Sequence, residues 1–147
     1  MNNNAILRRT LYAGTGFVII VTLILVFIVI PSVIKDTSPQ AEPEKAVPGI
    51  LFVIIIHLVI VAAMARTILV NERGGRIDKG LLIGLGVLLL FFSLMVLDGA
   101  SAYSGHTDPI MKRVTISMYI GASCNAVASV LTFLIAWYSK RIQPPLK

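Results

Sequence analysis

Four long apolar runs constrain this chain more than any other feature. Residues 11–34, 47–70, 80–103 and 114–138 each reach the length of about 20 residues that a helix rising about 1.5 Å per residue needs to cross roughly 30 Å of hydrocarbon. In hydrocarbon every backbone N–H and C=O must find its partner within the protein, so runs of this kind fold as helices. Composition points the same way: with 56% hydrophobic and 14% charged residues, a chain of 147 residues has too little polar surface to cover a soluble domain. The expectation is an all-α integral membrane protein, one four-helix transmembrane domain over residues 1–147, with the lipid bilayer as its first partner.

The net charge of +6 raises the question of nucleic acid. The basic residues flank the apolar runs and form no patch with interleaved aromatics, so membrane topology accounts for them and no nucleic-acid partner is expected. Arg8 and Arg9 ahead of the first run resemble an export signal. That run is longer than a signal-peptide core and leads into Lys35-Asp36-Thr37 with no small-residue cleavage site, so it reads as a retained first span. Cys124 is the sole cysteine and lies inside the fourth run. It excludes an intramolecular disulfide and a multi-cysteine metal site, and reads as a small buried hydrophobe.

Four spans put both termini on one side. That side collects Arg8, Arg9, Arg66, Arg73, Arg76, Lys79, Lys140, Arg141 and Lys147, against Lys35, Lys45, Lys112 and Arg113 on the other. The excess of positive charge places both termini in the cytoplasm. With an uncleaved first span and no transit peptide, the expected location is a bacterial inner (plasma) membrane. The first loop, with Pro39, Pro43 and Pro48, reads as an extended connector, whereas "NERGGRIDKG" and "SGHTDP" are short enough to make antiparallel hairpins of spans two and three and of spans three and four. Tyr12, Trp137 and Tyr138 fall near the inner boundary and Tyr103 near the outer one, where amphipathic rings settle. The expected architecture is an up-down-up-down bundle.

Within lipid, small residues that admit close backbone approach mark packing faces. Span three opens with Gly80 and Gly84 at four-residue spacing, and span four carries the ladder Ser117, Gly121, Asn125 and Ser129. Both are expected to face protein.

The polar residues within the runs are the candidates for function. His57 and Arg66 are nine residues apart, which at 100° per residue sets them on opposite faces of one helix. Arg66 lies about 6 Å from the inner end, within reach of the headgroups or of Glu72, and belongs with Arg73, Arg76 and Lys79 to an interfacial set of charges; an interhelical role is the sharper reading. His57 sits about 12 Å from the outer end. Ser93 and Ser123 fall near its level, Asn125 slightly deeper, Asp98 and Tyr119 shallower. These six residues make a candidate intramembrane polar cluster, in which the Asp98 carboxylate would fix the tautomer of His57. The bland alternative has Asp98 capping a helix end near water and neutral His57 bonding one serine.

The chain has two histidines, His57 and His106, at different heights, so a bis-histidine haem is hard to build within it. A haem held by one histidine with a methionine such as Met95 or Met118, or with a ligand from a partner, is the form left open. No phosphate loop, dinucleotide fingerprint, HExxH or nucleophile elbow is present; no catalytic residue, metal site or cofactor is expected. Three functional readings follow. The first is a non-catalytic accessory or assembly subunit that packs against other transmembrane subunits of a bioenergetic or transport complex. The second is a small homo-oligomeric channel or transporter using His57, Asp98 and Asn125. The third is a membrane redox or lipid-binding protein whose outer half holds quinone, haem or a headgroup.

Overall fold

The structure, a computed structural model, describes residues 3–35, 43–103 and 108–142. Among them every regular element is helical: α1 (Asn3–Ile24), a π-helical turn (Leu25–Val29), α2 (Ile30–Ile34), α3 (Pro43–Glu72), α4 (Lys79–Tyr103) and α5 (Pro109–Ile142). Four stretches are long and apolar enough to span a membrane: Ala5–Ile34, Ala46–Glu72, Lys79–Ser101 and Pro109–Ser139. These candidate spans point to an integral membrane protein. Each helix outruns its apolar run at one or both ends, because backbone pairing continues into polar sequence once a helix is nucleated.

Local chemistry sets the helix ends. Asp78 accepts from the Leu81 N–H at 3.1 Å and Asp108 from the Ile110 N–H at 2.9 Å, so each carboxylate caps the first turn of the helix that follows. Pro109 behind Asp108 stands at the first helical position, where a missing N–H costs nothing. α3 ends when Gly74 takes φ 71°. Gly75 N–H then reaches Val70 O at 2.8 Å and Gly74 N–H reaches Asn71 O at 3.1 Å, the pair of bonds that closes a helix on a left-handed glycine.

The π turn before Pro31 has an equally local cause. Proline has no N–H to give the carbonyl four residues back, and the wider i→i+5 pairing of Leu25–Val29 absorbs the mismatch. Ser32 Oγ donates to Ile28 O at 2.6 Å. Beside this turn lies an open cleft of about 610 Å³ between Pro31 and the start of α5, with Lys35 and Arg113 on its rim.

α5 is the axis of the packing, with α4 along one flank and α1 along another, while α3 docks on α1 and α2. The close α4–α5 approach runs along Leu82, Gly86, Leu89, Ser93 and Ala100, all buried. Gly86 makes it possible, since a Cβ there would come within 2.8 Å of Thr132 Oγ1. Ser129 Oγ donates to Gly86 O at 2.7 Å and Ser93 Oγ to Ala122 O at 2.8 Å, so each helix gives the other one hydroxyl.

α3 and α4 are joined by a short turn, yet their backbones show no comparable approach; Ile60 and Met64 share one buried cluster with Leu85 and Leu89, and the His57 and Phe92 rings meet at 5.4 Å. Gly80 and Gly84 are exposed, and nothing stands within 4 Å of a Cβ built on Gly84. The small residues that α4 uses against α5 are Gly86 and Ala100 instead. The ladder of α5 lies inward, with Ser117, Gly121, Asn125 and Ser129 all buried.

Candidate functional site

His57 is fully buried, as is Asn125. α3 brings the imidazole inward on the strip that also buries Ile60 and Met64, and α5 brings the amide inward on its small-residue ladder. His57 Nε2 stands 3.2 Å from Asn125 Oδ1, while His57 Nδ1 stands 2.9 Å from Val53 O one turn earlier on its own helix. The Phe92 ring of α4 closes the third side, tilted 54° to the imidazole at a centroid distance of 5.4 Å. Asn125 Nδ2 is the one buried side-chain N or O atom without a hydrogen-bond partner among the described residues. An unsatisfied buried donor costs on the order of 1–3 kcal/mol.

Of the six residues placed in a polar cluster by height, the structure brings His57 and Asn125 into contact, with Ser93 buried close by and bonded to the Ala122 carbonyl. Asp98, Tyr119 and Ser123 are exposed. Asp98 lies within α4 and not at its end; its backbone carbonyl accepts from Ser101 Oγ. Ser123 Oγ turns back to Tyr119 O at 2.9 Å. The residue facing His57 across helices is therefore an amide and not a carboxylate.

Arg66 is exposed on the face of α3 opposite His57, with Ala62 exposed one turn before it. It has no ion-pair partner among the described residues. Six residues separate it from Glu72, the last residue of α3, which sets its Cα about 9 Å inside the helix end. Glu72 is engaged elsewhere, accepting from the Tyr12 hydroxyl at 2.9 Å. Arg73 and Arg76 are exposed and Lys79 is half-buried; the three cluster in sequence around the α3–α4 turn.

Among the described residues no three of His, Cys, Asp and Glu stand together as metal ligands would. Met95 is exposed on α4, and Met118 packs beside Val21 and Leu25, with its methyl group against Gly99. His106, Pro39 and Lys147 lie outside the described residues, as do the side chains of Lys45, Tyr103, Lys140 and Arg141.

Sequence reasoning missed the two serine-to-carbonyl bonds between α4 and α5 and the role of Gly86. The signal was there for Gly86: Leu82, Gly86, Leu89, Ser93 and Ala100 keep the alternating three- and four-residue spacing of a helix-packing seam. The chain matches no family model, no curated protein and no solved structure.

Proposed function

We propose that this chain is a non-catalytic accessory or assembly subunit of a larger membrane complex, an up-down-up-down bundle with both termini on the cytoplasmic side of a bacterial inner membrane. Two side-chain clusters support the alternation of helices. Leu7, Leu11, Ile68, Ile77, Leu82 and Ile135 draw one end of each long helix together, and Val29, Ile54 and Val114 gather at the other. The charge bias of the connections supports the orientation.

Arg66 carries the functional reading. An arginine inside a span normally faces a bundle interior or an aqueous cavity and pairs there, whereas Arg66 faces outward beside a small residue. A neighbouring subunit's carboxylate would supply the missing partner. Gly80 and Gly84 offer a second uncovered surface, a shallow strip on α4 into which another transmembrane helix can pack closely.

The test is co-purification of native partners in mild detergent with Arg66→Leu and Gly84→Leu. Both variants are expected to lose the partner while keeping their helix content and monomer stability, since neither position touches the chain's own core. Retention of the partner by both would overturn the reading. The alternative of a homo-oligomeric transporter rests on the buried His57–Asn125 pair; loss of transport in reconstituted His57→Ala would favour it.

A further inference from the structure

We infer that the cleft beside Pro31 is a binding site for one anionic phospholipid, its phosphate held between Lys35 and Arg113 and the upper part of an acyl chain laid along Phe27, Ile28 and Ile110. The cleft measures about 610 Å³, within the roughly 300–1,000 Å³ of small-molecule sites. It lies where two candidate spans end together, since Ile34 closes the first and Pro109 opens the fourth. Lys35 follows Ile34 directly and Arg113 stands about one turn inside α5, so both cations sit at the level of a bilayer's headgroups. Phe27 comes eight residues before Lys35, which sets it about 12 Å deeper, and it is 70% exposed. The lining therefore passes from charge to hydrocarbon over the depth at which a phospholipid does the same.

Both cations are uncommitted. Lys35 and Arg113 are exposed, and neither has an ion-pair partner among the described residues. Asp108, the acid beside Pro109, turns its carboxylate onto the Ile110 N–H at 2.9 Å. Ser32 gives its hydroxyl proton to Ile28 O, so the cleft offers a ligand two positive heads and an apolar wall. Pro31 and Pro109 both line it, and neither has an N–H to leave unpaired against lipid.

The chemistry selects among occupants. A forked guanidinium takes two phosphate oxygens at once, and the lysine ammonium adds a point charge. Free phosphate would use the two cations and leave the apolar wall bare. A zwitterionic phospholipid brings a cation of its own to the place that Lys35 and Arg113 already fill. An anionic phospholipid meets both the charge and the wall, and the open side of the cleft lets it enter from the bilayer. This site needs the spans and not the subunit's role: Arg66, Gly80 and Gly84 do not line the cleft, and a chain that purified alone would carry it unchanged.

The test is native mass spectrometry of the full chain in a mild non-ionic detergent, titrated with phosphatidylglycerol and, separately, with phosphatidylcholine. One phosphatidylglycerol is expected to bind at least about fivefold more tightly than phosphatidylcholine. Lys35→Gln and Arg113→Gln should each weaken it about fivefold, the worth of one basic residue beside an anionic lipid. Lys112→Gln removes the same charge from an exposed neighbour outside the lining and should leave binding unchanged. All three positions are exposed, and circular dichroism verifies that each variant keeps its helices. A loss equal in all three variants would overturn the inference, because diffuse surface charge would then account for the binding; so would no loss in any of them, or equal affinity for the two lipids. Inorganic phosphate at the lipid's own concentration is expected to leave the lipid in place. Displacement by it would make the cleft a site for the free anion and contradict the lipid assignment.

Discussion

A Cβ built on Gly86 would come within 2.8 Å of Thr132 Oγ1 and 3.0 Å of the Phe133 ring, whereas one built on Gly84 meets nothing within 4 Å. Gly86→Ala is accordingly expected to destabilise the isolated chain by about 1–3 kcal/mol, the ordinary cost of overpacking. Gly84→Ala should be neutral or stabilising by up to about 1 kcal/mol through helix propensity. Reversible unfolding in mixed micelles measures both, and equal effects would mean that the α4–α5 contact does not run along Gly86. The sequence made some residue-scale features legible. The 100° step per residue suffices to set His57 and Arg66 on opposite faces of α3, and the spacing of Ser117, Gly121, Asn125 and Ser129 marks a packing face. The partners of His57 were less legible. Height along a helix can be counted from the sequence, but the direction in which each residue points across the bundle cannot, so Ser123 shares a level with the site, with Asp98 and Tyr119 somewhat shallower, and all three face away from it. The bonds from Ser93 and Ser129 end on backbone carbonyls, which every residue possesses and no sequence pattern advertises.

At the scale of the element, α5 begins where Asp108 accepts from the Ile110 N–H, and Asp108→Ala removes that cap. The expected loss is about 1 kcal/mol, read as a lower unfolding midpoint with faster amide exchange confined to the first turn of α5. Unchanged exchange at Ile110 would show the cap to be idle. Asp followed by Pro is a start signal that the sequence displays openly, and Gly74-Gly75 is a stop signal of the same kind. The π turn is harder to read. Pro31 announces a disturbance in the first span, but kink, break and π turn all answer a missing N–H, and the choice among them depends on how α1 and α2 both keep their contacts with α5.

For the whole molecule, small residues decide which helices approach one another, and loop length does not. The short 73–78 connection ties α3 to α4, yet α4 settles against α5, where Gly86, Ser93, Ala122 and Ser129 permit close approach, and α3 against α1. Lipid tails are as apolar as leucine, so backbone proximity and interhelical hydrogen bonds select the arrangement; four apolar runs in the sequence reveal the number of helices and leave their order around the bundle open. The same packing turns the α5 ladder inward and leaves Arg66, Gly80 and Gly84 on the outside. That division is the basis for the subunit's role proposed above. The most direct measurement of that role is native mass spectrometry of the unaltered chain purified from its own membrane in mild detergent. An assembly containing other transmembrane chains is the expected result; a monomer, or an oligomer of this chain alone, would contradict the proposed role.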